Sequence, residues 1–295
     1  MKLPGHAMPS PVFLRPILLF VVTLAGLALP SRVAAFEPPP PVFARSWIVV
    51  DADRVTVLGA SNADERRPVA STQKLMTALL VVEQGGLNKT VTVDASDVAV
   101  APSRVGIKSG QRYTRLELLR GMLVKSGNDL AHCLGRTHSG SEQSFAARMT
   151  QRAHELRMSS TQFRNASGLP DPEQYSTARD MARLALYIYR NGMVPGMPSS
   201  PASNINTIIL GITQLPSTPF RFSDGRSITL TSTNKLIPRV PGCVGMKTGF
   251  TNASGRCLVS AVHRDGRNII AVTLGSNSKY VWDDSQKLLE WGLRQ

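Results

Sequence analysis

The chain has 295 residues, of which 42% are hydrophobic and 18% are charged. This balance is typical of a folded protein with a sizeable core and argues against disorder. The formal net charge of +14 favours an anionic partner surface such as cell wall or membrane headgroups. The longest basic run is Arg66-Arg67, and no basic patch is interleaved with aromatic residues, so no nucleic-acid partner is predicted.

The first 35 residues are predicted to be a signal peptide that is cleaved on export. Lys2 and Arg15 precede an uncharged apolar run over 17–29, and small residues follow at 33–35. An apolar run of 13 residues is short for a bilayer span, so an uncleaved anchor is the less favoured alternative. Cleavage would lower the net charge to +11. A proline-rich leader over 36–45 and one folded domain over 46–295 are expected to follow.

In chain order, the first half of this domain begins with strands and continues with helices. β-Branched runs at 46–51 and 55–60 predict a hairpin. An apolar run predicts a helix from about Thr72 to Gln84, and Thr114 with Glu117 predicts a capping box for another. The remaining elements expected in this half are an extended piece at 90–93, helices at 116–123, 141–157 and 177–191, and a helical run through Leu134.

The second half changes from helical to strand-like character. Residues 193–219 are rich in proline and are predicted to be mostly loop, with one candidate strand at 207–210. Strand-like runs follow at 227–230, 244–250, 256–263 and 268–274, and a helix at 285–293 ends the chain. The predicted fold class is therefore α+β, with an antiparallel sheet from both chain ends flanked by helices and a helical middle lobe. A cleft between sheet and lobe is the expected site.

Ser71 and Lys74 stand three residues apart at the head of the first predicted helix. That spacing places both side chains on one helix face, so the lysine can reach the hydroxyl. Ser71 could then be a nucleophile with a base beside it, or a plain helix cap. The pair alone is weak, because Ser232/Lys235 and Ser276/Lys279 repeat the spacing.

An ordered triple of motifs resolves this ambiguity. Ser71-x-x-Lys74 is followed by Ser126-Gly127-Asn128 and then by Lys247-Thr248-Gly249, which occurs once and lies on a predicted strand. Of the three serine–lysine pairs, only the first heads an apolar helix. Three elements in order are far more specific than any one of them, so an acyl-transfer site is predicted.

With these motifs the chain resembles the penicillin-recognising serine enzymes, which have a β-lactamase/transpeptidase-like fold. It is most similar to the low-molecular-mass penicillin-binding proteins that act as D-alanyl-D-alanine carboxypeptidases. The resemblance runs from about Trp47 to Leu293, and the segments 163–170, 176–182 and 245–251 are also similar to that subgroup. It implies a secreted serine DD-peptidase of a bacterial periplasm or cell envelope, with peptidoglycan peptides as substrates and β-lactams as covalent inhibitors.

The resemblance implies catalytic roles for three side chains. Ser71 would form the acyl-enzyme, Lys74 would accept its proton, and Ser126 would relay a proton to the leaving amine. Lys74 must lose its charge to act as a base, and Lys247 is the second cation expected to lower its pKa. The family pattern places the oxyanion hole at the backbone N–H groups of Ser71 and Phe250.

Substrate-binding roles are implied for four further residues. Asn128 would hold the peptide backbone through its amide group. Lys247 and Thr248 would bind the terminal carboxylate of the substrate. Gly249 lacks a side chain, which lets the substrate lie along the strand edge.

Departures from the subgroup pattern leave other activities open. An arginine that helps bind the substrate carboxylate commonly stands where this chain has Val281, with Lys279 nearby, so DD-endopeptidase activity on cross-links is an alternative. A class A β-lactamase is disfavoured because Glu173 does not begin a Glu-x-x-Leu-Asn motif. A penicillin-binding sensor with little turnover is a third alternative. The chain stops at Gln295, so a single released module is expected.

The cysteines and histidines are not expected to bind a metal, and no cofactor is predicted. Cys133, Cys243 and Cys257 have no close spacing and are predicted to be buried free thiols. A Cys243–Cys257 disulfide is the alternative, although the predicted hairpin does not place the two opposite each other. The histidines that match no motif are interpreted as surface or structural residues: His132, His138, His154 and His263.

Overall fold

The computed structural model describes residues 37–295, together with Met1, Gly5 and Met8. Apart from those three residues, the predicted signal peptide lies outside the described part of the chain. Within the described residues, no helix is both long and apolar enough to cross a membrane.

The described residues form nine strands and eight α-helices. The strands are β1 (Ser46–Asp51), β2 (Thr56–Ser61), β3 (Thr90–Thr92), β4 (Arg112–Thr114), β5 (Ser217–Arg221), β6 (Ser227–Thr231), β7 (Cys243–Thr251), β8 (Gly255–Arg264) and β9 (Arg267–Ser276). The helices are α1 (Lys74–Gln84), α2 (Ala95–Val98), α3 (Arg115–Lys125), α4 (Asn128–Ser139), α5 (Glu142–Glu155), α6 (Ala178–Tyr189), α7 (Ile205–Thr213) and α8 (Val281–Arg294).

The central sheet joins the two ends of the domain. Its strand order is β2-β1-β9-β8-β7, and every pairing is antiparallel. The key pairing is β1 with β9, which sets Trp47 opposite Thr273. Strand β7 lies at one edge, so one side of its backbone is free to face a ligand. The predicted antiparallel sheet from both chain ends is confirmed.

Both faces of this sheet are covered by helices. Ile48 and Val50 of β1 face the core of the helical lobe, whereas Trp47 and Val49 face a second cluster against α8. This alternation follows from the period of two along a strand. Because α1 is apolar on all sides, it lies at the centre of the lobe, with its residues from Lys74 to Val82 buried.

Local sequence signals explain several element ends. The predicted capping box forms, with Thr114 Oγ1 accepting from the Glu117 N–H and the Glu117 carboxylate accepting from the Thr114 N–H. The last helix begins at Val281, four residues before the predicted start at 285. The Asn277 side chain accepts from the N–H groups of Lys279 and Tyr280 and so turns the chain into the helix earlier.

The predicted strand at 207–210 is wrong, because these residues belong to α7. Ile205, Ile209 and Ile212 are buried at a spacing of three to four residues, which is the helical period. A window of four residues, of which three are apolar, was too short to distinguish a strand from this helix. The elements α2, β4 and β5 were also not predicted from the sequence.

The segment that follows the predicted signal peptide lies along α8. The Trp291 indole N–H donates to the Glu37 carbonyl at 2.8 Å, and the Glu37 carboxylate pairs with Arg294 at 2.8 Å. The rings of Phe43 and Tyr280 stack with their centroids 3.6 Å apart. These contacts hold Glu37 against α8 and Phe43 against the residue that precedes this helix.

Candidate active site

Ser71 lies in a short 3-10 turn, Ala70–Gln73, that leads directly into α1. Its Oγ is 2.9 Å from the Lys74 Nζ and donates to the Ser167 carbonyl at 3.2 Å. That carbonyl can approach because Gly168 has a φ of 84° and a Cβ there would lie 2.2 Å from the Ala70 carbonyl oxygen. Only glycine therefore permits this close approach of the two backbones.

Lys74 is fully buried and is surrounded by neutral oxygen atoms. Its Nζ donates to the Asn128 side-chain oxygen at 2.8 Å and to the Ser167 carbonyl at 2.6 Å. Burial and the nearby charge of Lys247 hold the pKa of Lys74 well below its ordinary value, although Asp129 acts in the opposite direction. A neutral amine beside a hydroxyl can accept the proton of that hydroxyl.

The second wall of the site is the junction between α3 and α4. Ser126 ends α3 in a left-handed conformation with a φ of 68°, and Asn128 begins α4. The Asn128 amide also donates to the Ala101 carbonyl at 3.1 Å. The next residue, Asp129, accepts from the N–H groups of Val105 and Gly106 at 3.0 and 2.7 Å and so holds the loop that borders the site.

The third wall is the edge strand β7. Lys247 is fully buried, its Nζ donates to Ser126 Oγ at 2.9 Å, and burial lowers its pKa to about 7. A Cβ on Gly249 would lie 3.0 Å from the Ser71 nitrogen, so a side chain there would crowd the serine. The hydroxyls of Thr248 and Thr233 share a hydrogen bond of 2.6 Å.

These walls enclose a cleft of about 530 Å³. The predicted site residues Ser71, Ser126, Asn128, Thr248, Gly249 and Phe250 line it, and Lys74 and Lys247 lie buried directly behind Ser71 and Ser126. Among the residues that the structure describes, no carboxylate lines the cleft, whereas Lys125 and Arg256 do. The cleft therefore suits an anionic substrate.

Arg256 is a cleft residue that the sequence reading did not single out. It is paired with Phe250 across the β7–β8 hairpin, and its guanidinium lies 4.4 Å from the centroid of that ring. Its Nε donates to Ser278 Oγ at 3.1 Å. The predicted hairpin register could have placed Arg256 beside the Lys-Thr-Gly strand.

At the position where the subgroup commonly has an arginine, Val281 is buried and lines the cleft. Lys279 instead is exposed and lies over the Tyr280 ring, 5.0 Å from its centroid.

Other site groups that were not predicted from the sequence are the Ser167 carbonyl and the Asp129 side chain. Asp129 directly follows Asn128 in the sequence, which is the one signal that could have revealed it.

All three cysteines are free and buried, as predicted. Cys243 pairs with Val262 and Cys257 with Gly249 in the hairpin, so the two cysteines are not opposite each other. His132 is structural, since its Nδ1 lies 2.7 Å from the buried Asp97 carboxylate. Within residues 37–295, no group of three histidine, cysteine or acidic side chains could hold a metal ion.

Comparison with known proteins agrees with this geometry. The family model for D-alanyl-D-alanine carboxypeptidase (Peptidase S11) matches residues 33–278. The chain is 34% identical to the D-alanyl-D-alanine carboxypeptidase DacB2 of Mycobacterium tuberculosis, over 88% of this chain and 85% of that protein.

Solved structures show the same likeness. A D-alanyl-D-alanine carboxypeptidase from M. tuberculosis superposes with a TM-score of 0.79 at 32% identity, covering 89% of this chain and 95% of that one. Penicillin-binding protein D2 of Listeria monocytogenes, in its cefotaxime-bound form, superposes with a TM-score of 0.72 at 28% identity, covering 87% of this chain and 100% of that one. The predicted resemblance and the predicted fold class are confirmed.

Proposed function

Since the chain belongs to the D-alanyl-D-alanine carboxypeptidase family (Peptidase S11), we propose that it removes the terminal D-alanine from peptidoglycan stem peptides through an acyl-enzyme on Ser71. One observation carries the proposal. The amine of the buried Lys74, whose pKa is held far below its ordinary value by burial, lies 2.9 Å from Ser71 Oγ. A serine hydroxyl and a neutral amine in contact form a nucleophile and its general base.

In the first step, Ser71 Oγ attacks the carbonyl carbon of the penultimate D-alanine. The proton of the hydroxyl passes to the neutral Lys74 amine as the new C–O bond forms. The negative charge on the substrate oxygen is stabilised by the backbone N–H groups of Ser71 and Phe250. One such donor is typically worth ~2.7–4 kcal/mol of transition-state stabilisation.

The C–N bond then breaks and the terminal D-alanine leaves. Its nitrogen receives a proton from Ser126, which is replenished from Lys74. Lys247 donates to Ser126 Oγ and orients the hydroxyl for this relay. In the second step, water attacks the ester, Lys74 accepts a proton from the water, and Ser71 recovers its own proton as the shortened peptide departs.

Substrate recognition uses groups on the second and third walls of the cleft. The amide of Asn128 holds the peptide backbone, and Gly249 leaves the edge of β7 open to the peptide. Thr248 and Lys247 bind the terminal carboxylate. Because the pKa of Lys247 is about 7, this lysine is only partly charged at neutral pH, and Arg256 supplies a permanent positive charge to the lining of the cleft.

Two measurements on the purified domain test the proposal. Fluorescent penicillin should label the wild-type protein and not the Ser71→Ala variant, since β-lactams acylate the same hydroxyl. A defined pentapeptide should release one D-alanine per molecule with the wild-type protein only. Persistent labelling of Ser71→Ala, or no D-alanine release by a wild-type protein that labels, would contradict the assignment.

A DD-endopeptidase is the second candidate, and the apolar Val281 in the cleft favours it. If no other cation takes the place of the arginine that is common in the subgroup, a substrate without a free terminal carboxylate could bind as well as a substrate that has one. Conversion of cross-linked muropeptide dimers to monomers, faster than release of D-alanine from pentapeptides, would establish this activity.

Rapid hydrolysis of penicillin is not expected. Glu173, the candidate for the β-lactamase glutamate, pairs with Arg164 and does not line the cleft. Without a carboxylate to activate water against the bound β-lactam, the acyl-enzyme should persist. Penicillin labelling with no product from any peptide would instead favour a penicillin-binding sensor.

We further propose that the protein is exported to the bacterial cell envelope, where its substrate lies. The apolar run over 17–29 and the small residues at 33–35 support this location. N-terminal sequencing of the mature protein should begin after Ala35, and an intact Met1 on the exported protein would contradict cleavage.

A further inference from the structure

A second groove continues from the cleft past the end of β7. It has a volume of about 480 Å³ and shares Gly168, Pro170 and Thr251 with the cleft. None of the catalytic and binding roles proposed above involves its remaining walls. Three of those wall residues are charged and lie apart from the acyl-transfer groups: Arg66, Arg67 and Asp171. Arg67 is already paired with Glu65.

Arg66 is held in place without neutralisation of its charge. Its guanidinium lies over the Tyr175 ring, 4.7 Å from the centroid. Within residues 37–295 it forms no ion pair, whereas the neighbouring Arg67 is occupied by Glu65 and by Ser46. Stacking on an aromatic ring fixes the guanidinium plane and leaves its N–H groups free to bind a carboxylate.

Asp171 supplies the opposite charge in the same groove. One of its carboxylate oxygens accepts from the Glu173 N–H at 2.9 Å, which fixes its orientation in the turn. In the described part of the chain, no cation pairs with this carboxylate, and Arg66 is not joined to it. The groove therefore presents one guanidinium and one carboxylate, each without a partner of opposite charge.

On the proposed function, the bound peptide chain runs from the cleft towards this groove. The terminal carboxylate lies at Thr248 and the attacked carbonyl at Phe250, so the rest of the stem peptide runs past Thr251. An extended peptide advances about 3.3 Å per residue. The residue that precedes the penultimate D-alanine thus reaches the shared wall formed by Gly168, Pro170 and Thr251.

We propose that the groove binds the side chain of this third stem-peptide residue, and that the side chain ends in a free amino acid group. Arg66 would bind its carboxylate and Asp171 its ammonium group. A diamino dicarboxylic residue such as diaminopimelate carries both groups at the end of its side chain. Lysine, which carries only the amine, would satisfy Asp171 and leave Arg66 unpaired.

Three tripeptides X-D-Ala-D-Ala test this assignment, with X as diaminopimelate, lysine or norleucine. Each is acetylated at the α-amine of X, so that any amine in the side chain stays free. We expect the wild-type kcat/KM to fall in that order. Exposed ion pairs are weak, so each charged contact should contribute about fivefold. Arg66→Gln should remove the advantage of diaminopimelate over lysine. Asp171→Asn should remove the advantage of lysine over norleucine, and asparagine keeps the oxygen that accepts from Glu173.

Arg226→Gln is the matched control, because Arg226 also stacks on an aromatic ring, 4.5 Å from the centroid of Phe222, and does not line either groove. Equal wild-type rates for the three peptides would overturn the proposal. So would identical selectivity in Arg66→Gln and Arg226→Gln. The proposed function fails separately, by absence of D-alanine release from every peptide, so the two failures are distinguishable.

Discussion

Two sets of buried cations in this protein behave in opposite ways. In the helical lobe, Arg152 is hydrogen-bonded to Glu83 at 2.6 and 3.0 Å, to Glu155 at 2.9 Å and to the Tyr187 hydroxyl at 2.7 Å. Burial alone would lower the pKa of Arg152, but these partners outweigh it and raise the pKa. In the cleft, burial lowers the pKa of Lys74 and of Lys247.

The two sets differ in their partners, because Arg152 contacts carboxylates and the cleft lysines contact neutral groups. Lys74 contacts a hydroxyl, an amide oxygen and a carbonyl, none of which carries a full negative charge. A buried cation without a carboxylate in contact loses much of its preference for the charged form. Carboxylate partners therefore favour the charged form of Arg152, whereas burial among neutral groups favours the neutral form of Lys74.

The largest expected effect comes from replacing Lys74, the proposed general base, with a cation that cannot lose its proton. Lys74→Arg should reduce the rate of acylation by fluorescent penicillin by about a thousandfold, since a positioned general base typically contributes about 10²–10⁴. Lys235→Arg, in the rival serine–lysine pair at an exposed position, is the matched control. Acylation of Lys74→Arg within tenfold of wild type would show that Lys74 is not the base.

The lobe cluster should respond in stability and not in chemistry. Glu83→Gln removes a buried carboxylate from Arg152 and should lower the free energy of unfolding by about 3 kcal/mol. Urea denaturation measures this loss, and the folded fraction should still be labelled by penicillin. Asp64→Asn, which breaks an exposed pair with Arg179, should change stability by at most about 0.5 kcal/mol because solvent screens that pair. Equal losses in the two variants would contradict the comparison.

Arg256 offers a test at the rim of the cleft. Arg256→Gln should lower kcat/KM for a peptide with a free terminal carboxylate by about tenfold, because a hydrogen bond to a charged group is lost. The same peptide with a terminal amide should be unaffected. Arg226→Gln provides the control for loss of a stacked guanidinium elsewhere. An equal decrease in kcat/KM for the peptide acid and the peptide amide would show that Arg256 has a structural role and does not bind the carboxylate.

The depressed pKa of Lys247 predicts a pH dependence of stability. The unfolded chain keeps this proton up to the ordinary pKa of 10.5, whereas the folded protein releases it above about 7. The unfolded state thus binds more protons in this window, so the contribution of Lys247 to stability rises with pH and is lost as pH falls towards 7. This contribution gives the free energy of unfolding a slope of about 1 kcal/mol per pH unit between pH 7 and 10, and Lys247→Met should remove it. If the free energy of unfolding depends on pH in the same way in the wild type and the variant, the pKa of Lys247 is not lowered.

Much of the site was accessible from residue order alone. The Ser71, Ser126 and Lys247 motifs carry their own local signals, namely a helix start, a turn and a strand, and their sequence order is unambiguous. The sheet built from both chain ends also followed from the β-branched run in β1 and the strand-like runs in β7–β9. The error at 207–210 arose because so short a β-branched and apolar run is compatible with a strand or a helix, and only the packing of α7 shows which period applies.

Contacts between distant segments were decided by the tertiary structure. The Ser167 carbonyl contacts Lys74, which lies 93 positions away in the sequence. Every residue has a backbone carbonyl, so no pattern of side chains could have predicted this contact. Burial of the two lysines, and hence their altered pKa, depends on walls contributed by separate elements. The groove that brings Arg66 and Asp171 together likewise exists only in three dimensions. Sequence specifies which chemical groups are available, and the fold determines which of them lose water and meet.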